Sequence, residues 1–208
     1  MPFDADQVRA AFPGRRVDFY EQTGSTMAVA AKVHEDRAVI IADAQTNGIG
    51  RYNRPWHSAP GDGLYFTVVL CTKPLPVLTM AIGLAVQEAI ARYTGLIGIN
   101  VNHESFPPEL AELATSLYRE SGRSWPREGL LIEVLRSIEA FLPLSQEAVL
   151  AAFTQQSSYV KGRRVAVELN GTEVRGTTAG LDPNGYLLLV DDYGRRHTIL
   201  AGGVRPCS

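Results

Sequence analysis

The spacing of apolar residues changes near Tyr159, and this change limits the folds that the chain can adopt. From Val165 to Leu169 apolar and polar residues alternate, which is the period of a strand with one buried face. Asn170-Gly171 follows, and this pair suits a tight hairpin turn in which both residues take positive φ. Similar turn signals recur at 183–185 and 192–194. The end of the chain therefore predicts a meander of about four short strands, enough for a small separate β-barrel.

The sequence before this point alternates between strand patterns and helix patterns. Strands are predicted at 15–20, 38–42, 64–70 and 96–102. Helices are predicted after Ser25, from Leu78 to Gly95, and over apolar stripes at 110–117, 130–138 and 149–153. The alternation predicts an α/β domain of the α+β kind over 1–157, a mixed β-sheet with helices, followed by the barrel over 158–208.

Composition and charge exclude several classes of partner. Lys and Arg number 20 against 22 Asp and Glu, so the net charge is −2 and no chain-wide basic field attracts nucleic acid or an anionic membrane. No window holds about eighteen consecutive apolar residues, so no membrane span is predicted. The N-terminal segment lacks the apolar region of a secretory signal, and Cys71 and Cys207 suit neither a disulfide framework nor a zinc site. We therefore expect a cytoplasmic protein with two free thiols.

The loop at 45–63 is the least ordinary stretch of the chain. Gly48 and Gly50 allow backbone N–H groups to approach a phosphate or carboxylate closely. Arg51 and Arg54 add charged donors for the same anion. These residues favour an anion-binding loop, although a mobile turn is the alternative when the glycines and arginines are taken alone.

Trp56, in the same loop, offers a flat face to a ligand ring, with the capping of an apolar patch as the alternative. Metal binding has no comparable support in the sequence. The four histidines, His34, His57, His103 and His197, are scattered along the chain, so no metal site is predicted.

This loop resembles the signature of the biotin protein ligases, the biotin-(acetyl-CoA-carboxylase) ligase family. The family form is Gln-Thr-x-Gly-Arg-Gly-Arg-x-Gly-Arg-x-Trp-x-Ser-x-x-Gly-x-Leu-Tyr, and here it is QTNGIGRYNRPWHSAPGDGLYF. Gly24-Ser25-Thr26 resembles the family's Ser-Thr-Asn element, residues 82–90 resemble its long helix, and residues 97–102 resemble its Gly-Ile-Asn strand. The C-terminal meander resembles its SH3-like domain, so the resemblance extends over nearly the whole chain.

The resemblance implies a fold and a reaction. The fold is a class II synthetase-like catalytic domain followed by an SH3-like barrel, without a DNA-binding domain. In the reaction, biotin and Mg²⁺–ATP give biotinyl-5′-AMP and pyrophosphate, and a lysine of a biotin carboxyl carrier protein then takes the biotinyl group. The implied cofactors are ATP and Mg²⁺, the implied partners are the carrier protein, biotin and ATP, and a homodimer is a further expectation.

The matched positions imply roles for individual residues. The positions implied to bind biotin are Ser25, Thr26, Gln45, Gly50, Arg51 and Tyr52. The positions implied to bind ATP are Arg51, Arg54, Trp56 and Asn100. Arg51 is also the expected catalytic residue, because joining two anions requires fixed positive charge where negative charge accumulates.

The sequence departs from the family pattern in several places. Met27, Ile49 and Asn53 stand where Asn, Arg and Gly are usual. Between Leu96 and Ile97 the chain lacks the family's Lys-Trp-Pro-Asn-Asp and Lys-x-x-Gly-Ile-Leu strands, and its three lysines, at 32, 73 and 161, lie elsewhere. Two alternatives therefore stay open: a non-catalytic or impaired remnant that binds biotin, biotinyl-AMP or the carrier domain, and a lipoate ligase of the same catalytic architecture.

Replacing Arg51 with alanine is expected to abolish synthesis or retention of the adenylate while the fold is kept. Loss of one preorganised positive donor lowers the rate of such a step by about a hundredfold or more. Pyrophosphate release measures the effect, and the far-ultraviolet circular dichroism spectrum reports the fold. Unchanged turnover would contradict the role assigned to Arg51.

Overall fold

The structure of the protein is a computed structural model that describes residues 2–50, 56, 58–72, 75–96, 100–108, 112, 114–169, 171–200 and 204–207. The chain divides into two units, one of Met1–Lys73 with Val86–Ser137 and one of Pro74–Ala85 with Ile138–Ser208. The boundary predicted between 157 and 158 falls inside the second unit and stays a prediction. None of the described helices is long and apolar enough to cross a membrane.

The first unit contains a three-stranded mixed sheet. Its strands are β1 (Val17–Thr23), β2 (Val39–Gln45) and β3 (Tyr65–Val68), in the order β1-β2-β3. β1 and β2 are parallel, whereas β2 and β3 are antiparallel with Ile40 opposite Thr67. The prediction of a mixed sheet with helices is therefore confirmed.

Six helices occur within the described parts of the chain. They are α1 (Ala5–Ala11), α2 (Thr26–Ala30), α3 (Pro76–Thr94), α4 (Leu117–Ser121), α5 (Arg127–Phe141) and α6 (Gln146–Gln156). Side-chain caps fix where some of them begin, because the first N–H groups of a helix have no partner within the helix. The Asp4 carboxylate accepts from two backbone N–H groups of α1, and the Ser145 hydroxyl accepts from one of α6.

β2 is buried on both faces, and this burial positions the site. Val39 and Ile41 pack in one apolar cluster with residues of α1 and α5, while Ile40 packs in another with residues of α2. Because successive side chains of a strand point to opposite faces, a continuous apolar run is what a central strand needs. The polar residues Asp43 and Gln45 follow this run, at the point where the strand ends.

A buried ion pair joins the end of β2 to the start of α5. Arg127 is only 4% exposed, and its guanidinium donates to the carboxylate of Asp43 and, at 3.1 Å, to the carbonyl oxygen of Gly63. The same carboxylate accepts from the N–H of Gly61 at 3.3 Å. Arg127 and Asp43 thus fix the turn at 60–63 that leads into β3.

The second unit contains an antiparallel sheet. Its strands are β4 (Lys161–Leu169), β5 (Thr172–Leu181), β6 (Leu187–Asp191), β7 (Arg196–Ile199) and β8 (Val204–Pro206), in the order β7-β6-β5-β4-β8. Its core is formed by Val165, Val167, Leu189 and Ile199. α6 packs separately, with Val149 in a cluster with the first turns of α3. The small C-terminal β-domain expected from the alternating pattern is therefore present.

Several elements differ from the sequence predictions. α1 and the fifth strand β8 were not predicted. The strand predicted at 96–102 is wrong for its described residues, Leu96 and 100–102, which are not in a strand, and 97–99 lie outside the described residues. Of the described positions in the helix predicted over 110–117, only Leu117 is helical. The Ser116 side chain caps the start of α4, so this helix begins at Leu117.

Replacing Arg127 with leucine is expected to lower the free energy of unfolding by about 3–5 kcal/mol, because it leaves the Asp43 carboxylate without its buried cation. Urea denaturation followed by circular dichroism measures the change. Arg136→Ala is the matched control, since Arg136 lies on the same helix but its side chain is 55% exposed in its ion pair with Glu133. Equal effects of the two substitutions would show that the Arg127 pair does not anchor the fold.

Candidate functional site

A hydrogen-bonded polar cluster surrounds the side chain of Gln45 at the end of β2. The backbone N–H of Thr26 donates to Gln45 Oε1 at 2.9 Å, and the Thr26 hydroxyl donates to the same oxygen at 3.2 Å. On its other side, Gln45 Nε2 donates to the Ser58 hydroxyl oxygen at 3.2 Å. Because a backbone N–H can only donate, the Gln45 carbonyl must face Thr26, and this fixes the orientation of the amide.

Backbone hydrogen bonds hold the two segments of this cluster side by side. The N–H of Thr46 donates to the Thr23 carbonyl at 3.0 Å, and the N–H of Asn47 donates to the Gly24 carbonyl at 2.8 Å. The loop then returns, since the N–H of Trp56 donates to the Gly48 carbonyl at 2.8 Å. The segments predicted to bind one ligand, at 24–26 and from residue 45 onward, are therefore adjacent in the structure.

Gly48 is required by the close packing of the loop. A Cβ at this position would lie 2.8 Å from the Trp56 carbonyl oxygen, 2.9 Å from Ser58 Oγ and 3.4 Å from Gln45 Nε2. The first two distances are shorter than side chains tolerate, so any larger residue would displace the loop from Gln45. The glycine thus brings the returning segment close enough for Ser58 to bind the amide.

Ser25 and Trp56 lie at the edge of this cluster with different exposures. Ser25 is 9% exposed and precedes α2, and its side chain makes no capping hydrogen bond to the described first turn. Trp56 is 48% exposed, which leaves much of its indole open to solvent or to a ligand. Gly50 is half-buried.

The remaining predicted site residues are not brought into the cluster by the described contacts. Arg51, Tyr52 and Arg54 lie outside the described residues, so their roles stay predictions. Asn100 lies elsewhere in the first unit: its side-chain amide donates to the Thr115 carbonyl at 2.9 Å, and its own carbonyl accepts from the N–H of Leu117 at 2.9 Å.

Two members of the cluster were missing from the predicted site residues. One is Ser58, which is 6% exposed and accepts a hydrogen bond from Gln45. Thr67 donates to the Thr26 hydroxyl oxygen at 2.9 Å. The sequence feature that could have identified Thr67 is its polar side chain within the apolar run 64–70.

Tyr65 supports the returning segment from β3. Its phenol donates to the Ala59 carbonyl at 3.1 Å, next to Ser58. Burial first, and then the negative charge of Asp62, raise the pKa of the phenol from 10.0 to about 12. The neutral, donating form is therefore the one present in the folded protein at ordinary pH.

Among the described residues, no group of three or more His, Cys, Asp and Glu side chains is arranged to hold a metal ion. The polar cluster around Gln45 is built from hydroxyls, an amide and backbone groups, which suit a neutral polar ligand group.

Two separate stretches of the chain match known protein families. Residues 19–110 match the biotin/lipoate A/B protein ligase family. Residues 161–204 match the biotin protein ligase C terminal domain. The first match includes the whole polar cluster, and the second includes most of the five-stranded sheet.

Individual relatives match the chain over most of its length. The bifunctional ligase/repressor BirA of Bacillus spizizenii is 28% identical, covering 87% of this chain and 71% of the relative. The biotin-(acetyl-CoA-carboxylase) ligase of Mycobacterium tuberculosis is 29% identical, covering 95% and 91%. A solved structure of the biotin protein ligase of Aquifex aeolicus in complex with biotin and ATP has a TM-score of 0.81 at 25% identity, covering 92% and 99%.

The pKa of Tyr65 predicts how stability changes at alkaline pH. The phenol ionises near pH 10.0 when unfolded and at about 12 when folded, so its contribution is complete below pH 10 and is lost as the pH rises through 12. Between pH 9 and 12 the wild type should therefore lose about 2 kcal/mol more unfolding free energy than Tyr65→Phe. Urea denaturation across this pH range measures the difference, and parallel curves for the two proteins would contradict it.

Proposed function

Because the chain belongs to the biotin protein ligase family, we propose that it attaches biotin to a lysine of a biotin carboxyl carrier protein, using Mg²⁺–ATP and a biotinyl-5′-AMP intermediate. The relatives named above are ligases, and the relative in the solved complex binds biotin and ATP. Biotin is therefore the proposed substrate of the polar cluster, in preference to lipoate.

The single observation that carries this proposal is the orientation of the Gln45 amide. Its carbonyl is occupied by two donors from Thr26, and its Nε2 carries two hydrogens, of which the described contacts use one, for Ser58. The second hydrogen is available to a ligand carbonyl. The buried hydroxyl of Ser25 can accept from a ligand N–H.

A cyclic urea presents a carbonyl flanked by two N–H groups, which is the pattern that these donors and acceptors would pair with. The ureido ring of biotin is such a group, and the 1,2-dithiolane ring of lipoate has neither a carbonyl nor an N–H. A buried site built to hydrogen-bond a polar group rejects an analogue that lacks the group, because its own donors are then left unpaired. This difference favours biotin over lipoate as the ligand of Ser25, Thr26 and Gln45.

The loop that follows Gln45 is proposed to bind the reacting anions. Gly50, Arg51 and Tyr52 would contact biotin and the phosphates, while Arg54, Trp56 and Asn100 would contact ATP. The exposed indole of Trp56 supports an adenine-stacking role, because an aromatic face left open to solvent is available to a ring. Mg²⁺ enters as part of the Mg²⁺–ATP substrate.

The proposed reaction needs the chain to hold two anions together. In the first step a biotin carboxylate oxygen forms a bond to the α-phosphorus of ATP, and the bond to the bridging oxygen of pyrophosphate breaks. In the second step the amine of a carrier lysine attacks the biotinyl carbonyl, AMP leaves, and the amine loses a proton. Arg51 would neutralise charge in the first step.

The proposal includes the cytoplasm as location and a homodimer as assembly. The two cysteines are free, which fits a reducing compartment. Sedimentation velocity tests the assembly, because a dimer would have twice the 22.7 kDa mass of the chain.

A transfer assay tests the function directly. Purified full chain, radiolabelled biotin, Mg²⁺–ATP and a carrier domain should yield labelled carrier, and a carrier with its acceptor lysine replaced by arginine should stay unlabelled. Pyrophosphate release without labelled carrier would confine the activity to the adenylating step. Biotin binding with neither product would select the non-catalytic remnant, and no binding of biotin would overturn the proposal.

Replacing Trp56 with alanine is expected to weaken nucleotide affinity about tenfold and biotin affinity much less, because stacking on an aromatic ring contributes about 1–3 kcal/mol. Isothermal titration calorimetry with each ligand measures the two effects. Tyr193→Ala, at an aromatic residue that is 83% exposed in the second unit, is the control and should change neither affinity. Equal weakening for both ligands in Trp56→Ala would remove Trp56 from the adenine side.

A further inference from the structure

Thr67 is a polar residue at a position that packing alone would give to valine. It lies opposite Ile40 on β3, and Ile40 belongs to the apolar cluster formed with Ala30, Val33 and Val69. Thr67 is half-buried, and although valine and threonine have nearly the same shape, even partial burial of a hydroxyl is unfavourable unless it finds a partner. The partner here is the Thr26 hydroxyl, 2.9 Å away.

The hydrogen bonds of the cluster run in one direction, from Thr67 to Trp56. Each hydroxyl has a single hydrogen, and the Thr26 hydroxyl uses its own for Gln45 Oε1, so the bond between the two threonines must be donated by Thr67. Gln45 Nε2 then donates to the Ser58 hydroxyl, which donates to the Trp56 carbonyl at 3.4 Å. Aligned bonds of this kind polarise and strengthen one another.

We propose that Thr67 is a positioning residue for biotin, one that acts through Thr26 to lock the Gln45 amide with its N–H toward the ligand carbonyl. This inference rests on the proposed function, because it names the residue that sets the ligand selectivity of the same site. Thr67 touches no atom of the ligand in this account. Its effect is to keep the Thr26 hydroxyl in the rotamer that donates to Gln45.

If Thr67 fixes the Gln45 amide in this way, the site should discriminate between two ligands of nearly the same shape. Biotin offers a urea carbonyl, which accepts a hydrogen bond, whereas 2-iminobiotin in its protonated form offers an N–H at the same place. With the amide locked, two N–H groups would face each other in the 2-iminobiotin complex. Without the Thr67 hydroxyl, the Gln45 amide keeps the Thr26 N–H but loses one of the restraints on its orientation, so turning its carbonyl toward the N–H of 2-iminobiotin costs less.

The test measures the affinities of biotin and 2-iminobiotin by calorimetry in the full-length wild type and three variants. Thr67→Val removes the hydroxyl and keeps the shape, while Thr67→Ser keeps the hydroxyl. Thr178→Val is the matched control, because Thr178 is a buried threonine, 2% exposed, whose hydroxyl oxygen accepts from the N–H of Arg163 in the second unit.

Thr67→Val should weaken biotin binding about three- to tenfold, the range for one lost hydrogen bond, and should lower the preference for biotin over 2-iminobiotin by at least about threefold. Thr67→Ser should restore both within about twofold, and Thr178→Val should change neither. Unchanged affinity and preference in Thr67→Val, or the same loss in Thr178→Val, would overturn the inference while leaving the proposed function intact. A wild type that does not bind biotin would overturn both.

Discussion

The burial of β2 on both faces decides where the site of this protein forms. Val39, Ile40 and Ile41 are at most 1% exposed, so the strand can be neither shifted in register nor moved without exposing one of two apolar clusters. The polar residues that follow are consequently fixed at the end of the strand. Asp43 is tied to Arg127, and Gln45 is tied to Thr26 and Ser58. A rigid scaffold of this kind is what a precise hydrogen-bonding site requires.

The polar cluster turns this fixed strand end into a directional recognition element. An isolated glutamine amide presents either its oxygen or its nitrogen to a ligand, and the two orientations recognise opposite groups. Here the N–H of Thr26 removes the ambiguity, since it can only donate. Gly48 allows the loop to return close enough for Ser58 to bind the nitrogen side of the amide. The result is an amide with one orientation, which is why we propose that the site takes a urea rather than a ring without polar atoms.

Much of this architecture could be predicted from the sequence, because local signals agreed with the global fold. The long helix ending before Gly95 was predicted from the periodicity of its apolar residues, and it is confirmed. The adjacency of Ser25, Thr26 and Gln45 was implied by the family signature. The family matches at 19–110 and 161–204 include the stretches from which the resemblance was drawn.

What the sequence did not predict depends on contacts between distant segments. The helix α1 is short, and the only sequence feature that indicates it is the capping residue Asp4. That feature is weak evidence for a helix unless the packing of Val8 against the core is also known. β8 has three residues and exists because β4 offers it a free edge. Thr67 carries no local signal for its partner, since Thr26 lies 41 residues away in the chain. Ser58 was overlooked for a similar reason, as its bond to Gln45 depends on the loop's return.

The orientation of the Gln45 amide during ligand binding is the most direct test of this account. In ¹⁵N-labelled protein, the side-chain amide signals of Gln45 can be assigned by their absence in Gln45→Glu and followed during titration with biotin. These signals should move more than those of Gln87 and Gln146, because a new acceptor reaches Gln45 Nε2. Saturating biotin that leaves the Gln45 signals unmoved would contradict it.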